Sequence, residues 1–155
     1  MPEMHLTITI DAPRERVFGV FADIPNAPNV IDGIDRIEMI TEGPVGLGTR
    51  FRETRTMAKM QATEEFEVIG FEPPAHIALR CESCGVEYVA DQRFVEQGPG
   101  AALVDFRMRS TPKTLAAKLS APLTGLMMKS IMAKALRRDL EQLKAAAESP
   151  SHAPA

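Results

Sequence analysis

Tryptophan is absent from this sequence and tyrosine occurs once. Cysteine occurs only as Cys81 and Cys84, and histidine only as His5, His76 and His152. These shortages exclude chemistry. Structural zinc wants four ligands, usually from two Cys pairs or from Cys and His at set spacing. A lone Cys-Glu-Ser-Cys with no paired histidines does not supply them. A thioredoxin-like site would place its first cysteine at a helix N-terminus, but strand-like sequence flanks this pair on both sides. Two reduced thiols beside a hairpin turn are the expectation, and no metal or cofactor is expected. No apolar run approaches the ~20 residues that span a bilayer, so stable membrane insertion is not expected. Met1-Pro2-Glu3-Met4-His5 has no basic flank followed by an apolar stretch, so no signal peptide is read and a cytoplasmic location is expected. Neither sign of charge dominates. Lys+Arg 18 against Asp+Glu 21 leaves −3, which speaks for neither nucleic acid nor an anionic membrane as partner.

What is present suffices for one folded unit. A chain of 155 residues with 45% hydrophobic and 25% charged residues can build a core without staples, which rules out a disordered chain or a fibrous rod. We expect a single domain over 1–147 and a disordered tail over 148–155.

Leu6-Thr7-Ile8-Thr9-Ile10 alternates apolar and polar residues and predicts a half-buried strand. Asp11-Ala12-Pro13 opens a helix of roughly twelve residues, with Val17, Val20, Phe21 and Ile24 at helical spacing. Pro25-Asn26-Ala27-Pro28 stops it, and Val30, Ile31 and Ile34 suggest a further short turn. Asp35 to Glu42 reads as a second strand, before the turn Gly43-Pro44-Val45-Gly46-Leu47-Gly48. Strands then follow at Thr49–Met57, Ala62–Phe71, His76–Ser83, Val86–Val95 and Ala102–Ser110. Charged and apolar faces alternate cleanly in the last of these, as in an antiparallel sheet wet on one side. From Thr111-Pro112 to about Ala147 the pattern is one long helix, with a break or kink expected at Pro122 and Gly125. Between Leu123 and Met132 apolar residues lie almost all round, which predicts burial on most sides. Leu136, Leu140 and Leu143 then form one stripe, with Lys134, Arg137, Arg138 and Glu141 turned away.

A long antiparallel sheet with one apolar face, and one long helix to cover it, predicts an α+β fold. A curved seven-stranded sheet would wrap around the C-terminal helix, with two short helices after the first strand. The order of elements, and the motifs Ile8-Thr9-Ile10-Asp11-Ala12-Pro13-Arg14-Glu15-Arg16-Val17-Phe18, Asp23-Ile24-Pro25, Gly43–Phe51 and Phe71-Glu72-Pro73-Pro74, resemble the SRPBCC superfamily. That is the helix-grip fold of START domains, the birch pollen allergen and polyketide cyclases. The resemblance spans about residues 3 to 145. It implies a deep cavity between sheet and helix for an apolar or aromatic small molecule. Many bacterial members carry a Trp near the position of Asn29-Val30; this chain has none, which implies a smaller wall there.

Fold alone does not give function. Gly43–Gly48 lacks the Gly-Lys-[Ser/Thr] of a phosphate loop and precedes a strand, so it reads as a hairpin connection. Met108, Met127, Met128 and Met132 are flexible fillers, read either as plain core or as a plastic cavity wall. Polar residues on the dry face are the sharper signal. Glu53 and Arg55 share the parity of Phe51, Gln92 sits between Ala90 and Phe94, and Tyr88 brings its hydroxyl. Glu64 has the parity of Phe66. A water-filled cavity with polar anchors would accommodate them; a bulge that flips the parity would serve as well. The candidate ligand-binding set is Phe51, Glu53, Arg55, Phe66, Leu79, Tyr88, Ala90, Gln92, Phe106, Met108, Met128 and Met132. Asp35, Arg36 and His76 read as solvated strand starts.

Three readings stay open. The first is a carrier or binding module for a hydrophobic small molecule such as a lipid, quinone or polyketide, with the short helices and the Gly43–Gly48 loop gating entry. The second is an enzyme of the polyketide cyclase type, with Tyr88, Glu53 or Arg55 polarising carbonyls or moving protons. The third is an interaction module or homodimer that uses the long helix or a strand edge.

Overall fold

The computed structural model describes residues 3–149, the side chains of 123, 124 and 126 excepted. The expected tail lies outside the described residues from 150 on. Its first residue, Glu148, is instead the last of the long helix, because its carboxylate accepts from the Asp11 N–H at 2.8 Å.

Strand β1 is Glu3–Ile10, followed by helix α1 (Arg14–Ala22), a single 3-10 turn (Ile24–Asn26) and helix α2 (Ala27–Val30). Then come β2 (Ile34–Met39), β3 (Arg50–Met57), β4 (Met60–Glu72), β5 (His76–Ser83), β6 (Val86–Glu96), β7 (Ala102–Pro112) and helix α3 (Leu115–Glu148). The strands form one antiparallel sheet in the order β1-β7-β6-β5-β4-β3-β2. Successive strands are neighbours, as hairpin connections dictate, and β1 returns to pair with β7. The helix-grip expectation is met.

Alternation sets the two faces. Met4, Leu6, Ile10, Val104, Phe106 and Phe94 are buried toward α3, while Glu3, His5, Arg107 and Arg93 look outward. The outer face is laced by His5–Asp105 (2.9 Å), Arg107–Asp105 (3.1 Å), Arg80–Glu67 (2.7 Å) and Arg52–Glu38 (3.5 Å). Exposed pairs of this kind add little stability each; they mark which face stays wet.

A bulge between Val68 and Gly70 bends β4. A Cβ on Gly70 would lie 2.8 Å from Cε1 of His76 and 3.1 Å from the Ala78 Cβ, so glycine is what lets the His76 ring sit there unshifted. His76 is therefore not the exposed residue expected. Its side chain is 12% exposed, folded over Gly70, with Nε2 at 3.0 Å from an Asp91 carboxylate oxygen.

Several boundaries differ from the sequence reading. Ladder pairing with β6 extends β7 through Pro112, so α3 begins three residues later, capped by the Thr114 hydroxyl accepting from Ala117 N–H at 3.1 Å. Helix α1 is shorter, 9 residues, with Pro13 at its N-cap. Pro122 does not break α3, which runs unbroken for 34 residues. Pro122 is exposed, so water can serve the carbonyl that loses its partner. The expected burial around Met127 and Met128 fails too. They are 69% and 46% exposed, because no other element covers the outer side of α3 there.

One end of the sheet is closed by aromatic rings from α1. Phe18 meets Phe71 and Phe94 edge-on, each at 5.5 Å between centroids, and Phe21 meets Phe94 at 5.1 Å. Edge-to-face geometry matches the ring quadrupoles. Phe94 is 1% exposed at the centre of this plug. Replacing it by Ala should cost about 3–5 kcal/mol in urea denaturation. A loss below about 1 kcal/mol would show that the cluster collapses without strain.

Candidate functional site

Helix α3 treats its two halves differently. In the C-terminal half Leu140, Leu143, Ala146 and Ala147 are buried. Polar clamps add to this. Lys144 Nζ donates to the Thr9 carbonyl at 2.9 Å, and the Asp32 N–H donates to Gln142 at 3.1 Å. Arg138 pairs with Asp32. In the N-terminal half, among the described side chains, only Ala117 is buried. The space beneath that half is the candidate site.

A cavity of about 580 Å³ lies there, between α3 and the ends of β1, β6 and β7. Small residues create it. Ala117, Ala121 and Gly125 follow at intervals of four, so they share the face over the sheet. A Cβ on Gly125 would meet nothing within 4 Å. The sheet floor is Met4, Val86, Tyr88 and Met108, and Met128 and Met132 close the helix side. The polar lining is Ser83, Cys84, Ser110, Ser120 and Lys129, besides the Tyr88 hydroxyl, and Glu3 borders the rim. A floor of thioethers and aliphatic chains with a few hydroxyls suits an apolar guest with one or two oxygen atoms.

The polar groups divide into engaged and free. Ser83 donates to Glu64 at 2.7 Å, which leaves its lone pairs for a guest. The Tyr88 hydroxyl makes no protein hydrogen bond among the described residues. Burial above all, with Cys81, Cys84 and Glu64 nearby, raises the Tyr88 pKa, so the phenol stays protonated and acts as a donor. Burial likewise pushes the Cys81 thiol up to about 12, which leaves it inert. Cys84 is exposed on the β5–β6 turn, and Cys81 is buried.

Glu53 and Arg55 do point inward, but they face each other and the helix, not an open cavity. Arg55 Nε donates to Glu53 at 2.9 Å and its Nη1 to Asp139 of α3 at 2.7 Å. All three side chains are under a fifth exposed: Arg55 17%, Glu53 14%, Asp139 9%. Burial alone would lower the Arg55 pKa, but the Glu53 and Asp139 carboxylates more than offset it and hold it above its ordinary value. Asp139 is the member that titrates. Burial pushes it up to about 6, against the charge and hydrogen bond of Arg55, with Glu53 adding to the rise. This triad pins α3 to β3.

Of the twelve candidate residues, Tyr88, Met108, Met128 and Met132 line the cavity. Phe51 and Phe66 stack on each other at 5.4 Å and fill core instead. Leu79, Ala90 and Phe106 also face inward but pack in the core cluster, and Gln92 is buried on the same face. Arg55 borders a second cleft, of about 760 Å³, on the other flank of α3. No residue of α1, α2 or the Gly43–Gly48 loop lines the cavity, so the gate expected of them does not border it. Ser83, Ser110, Ala117, Ala121 and Gly125 line the cavity, and Asp139 anchors α3 to Arg55, without being singled out among the sequence candidates. The spacing of the small residues is a usable signal, and so is the position of Asp139 inside the Leu136–Leu140–Leu143 stripe.

The triad makes a pH prediction. The Asp139 pKa lies above the 3.8 of an unfolded Asp, so its contribution to stability is full below pH 3.8 and is lost as pH rises through about 6. Urea midpoints measured across that window should fall for the wild type relative to Asp139→Asn. Parallel profiles would show that Asp139 titrates as a solvated carboxyl.

No curated protein matches this sequence. Solved structures do, at low identity. An aromatase/cyclase, Zhui from Streptomyces sp. R1128, superposes with a TM-score of 0.80 at 18% identity, over 95% of this chain and 93% of that one. A START superfamily protein from Mycobacterium smegmatis gives 0.76 at 14%, over 94% and 97%. The protein TTHA0849 from Thermus thermophilus gives 0.73 at 17%, over 94% and 97%. At such identities these likenesses concern the fold. The family model described as "Polyketide cyclase / dehydrase and lipid transport" matches residues 1–148. A curved antiparallel sheet gripping one long helix, together with that match along nearly the whole chain, places this protein in the polyketide cyclase/dehydrase and lipid transport family.

Proposed function

We propose that the protein binds a hydrophobic or aromatic small molecule, of lipid, quinone or polyketide type, in the cavity under the N-terminal half of α3. The observation that carries this reading is the run Ala117, Ala121, Gly125 over a floor of Met4, Val86 and Met108. A helix meant only to seal the sheet would carry large residues there. The guest's apolar area would supply the driving force at roughly 25 cal/mol per Å² before ordering costs. Tyr88 would donate to one guest oxygen, and Ser83, held by Glu64, would accept from a guest hydroxyl. The methionines would adapt the wall to the guest's outline.

A cyclase or aromatase reading is favoured by one feature, the unpartnered Tyr88 phenol. A donor of that kind would polarise a carbonyl of a folded poly-keto chain. The case for proton abstraction is weaker. Glu53 is held by Arg55, and the Cys81 thiol stays protonated at neutral pH. Binding therefore stands first.

Displacement of a fluorescent apolar probe by a quinone, a hydroxynaphthalene and a fatty acid tests the proposal, with thermal stability read alongside. At least one compound should displace the probe and raise Tm. Tyr88→Phe should weaken binding of the oxygenated compounds by about 2- to 13-fold, the loss of one net hydrogen bond, and leave an alkane unaffected. No displacement and no rise in Tm for any compound would overturn the reading. Turnover of a poly-keto substrate that is lost in Tyr88→Phe would promote the second reading over the first.

A further inference from the structure

The net charge of −3 hides a strong local bias. From Leu115 to Arg138 helix α3 carries Lys118, Lys129, Lys134, Arg137 and Arg138 and no acidic residue. The ion pairs of α3 are Arg55–Asp139, Arg138–Asp32 and Lys144–Glu148. Lys118, Lys129, Lys134 and Arg137 are exposed and have no ion-pair partner among the described residues. Elsewhere most cations are paired, as on the outer face of the sheet.

The same half of α3 exposes its largest apolar side chains. Leu115 is 73% exposed, Leu119 71% and Met127 69%. Ala117 and Ala121 point into the cavity, so Leu115 and Leu119, two residues earlier on a 3.6-residue period, stand on the opposite side. The β3–β4 hairpin joins this region. Met57 and Ala58 border the same cleft as Ile131 and Lys134, and the hairpin tip carries Met60, 75% exposed, beside exposed Lys59. Leu47 apart, every large apolar residue exposed by more than two thirds among the described residues lies on these two elements.

Leucine and methionine between unpaired lysines suit the boundary between anionic headgroups and acyl chains. A nucleic acid would use aromatic stacking between its cations, and no aromatic residue stands on α3. A second copy docking about a two-fold axis would bring two basic faces together, which like charge opposes. No described helix is long and apolar enough to cross a membrane, so the contact would be peripheral. We propose that the N-terminal half of α3, with the tip of the β3–β4 hairpin, docks the protein on an anionic lipid surface. Docking of this kind does not depend on what the cavity holds.

Co-sedimentation of the full chain with vesicles of phosphatidylcholine, with and without phosphatidylglycerol, tests it. The wild type should bind the anionic vesicles, bind pure phosphatidylcholine at least tenfold more weakly, and detach as salt rises. Leu119→Glu with Met127→Glu should abolish binding, while each of Lys118→Gln and Lys134→Gln should weaken it about fivefold. Neither Leu119 nor Met127 lines the cavity, so an unchanged urea midpoint in the double variant shows that the fold is intact. Equal binding to both vesicle types, or undiminished binding by the folded double variant, would overturn the proposal. So would a wild-type dimer in sedimentation velocity that the double variant splits into monomers, since a second copy would then cover this face.

Discussion

One helix has to cover a seven-stranded sheet, and it does so along only part of its length. That constraint organises the molecule. Where α3 is pressed down, Leu140, Leu143 and Ala147 meet the core and Asp139 reaches Arg55 on β3. Where it is not, alanines and a glycine face the sheet and a cavity of about 580 Å³ remains. A buried ion pair is a poor source of net stability, because desolvation of both charges opposes their attraction. Its value here is positional. Arg55 has a fixed fork of donors, and its two carboxylate partners sit on different elements. Helix α3 can slide or rotate at that point only by leaving a buried charge unpaired.

The architecture is legible because it depends on period. Alternation in Leu6–Ile10 and in Ala102–Ser110 fixes which face is dry, and that face requires a cover. The inward direction of Glu53 and Arg55 follows from the parity of Phe51 alone, and the structure agrees. What they do there does not follow, because Asp139 lies 84 positions from Arg55 along the chain. Parity gives a residue's side of a sheet; it does not give its partner. The error at Pro122 has a similar source. Local propensity treats a helical proline as a break, but the cost falls when the carbonyl it strands faces water, and solvent access is a tertiary fact. The burial expected around Met127 fails for the same reason. Apolar character in the sequence does not ensure a cover in space, and none of the described residues covers Met127.

The candidate site is legible only in part. Tyr88, Met108, Met128 and Met132 line the cavity, whereas Phe51, Phe66, Ala90 and Phe106 belong to solid core. On the sheet, both groups occupy the dry face and have equal claims by pattern. What separates them is the residue opposite: the small Ala117, Ala121 and Gly125 share the cavity lining with Tyr88 and Met108. Large side chains on the sheet mark a floor in either case. The absence of large side chains on the opposing helix marks a void. In this fold, therefore, the small residues of the C-terminal helix carry more information about the cavity than the aromatic residues of the sheet.

The polar chemistry of the cavity follows from the same geometry. Open space beneath α3 leaves the half-buried Tyr88 hydroxyl without a protein partner among the described residues, so it faces the cavity as a donor. Tyr88 is protonated for the reason that it is lodged there, since partial burial and neighbouring Glu64 disfavour the phenolate. Arg55 and Glu53 have no such vacancy, because α3 descends far enough to satisfy them. Helix α3 thus satisfies Arg55 through Asp139 and leaves the Tyr88 hydroxyl unpaired among the described residues.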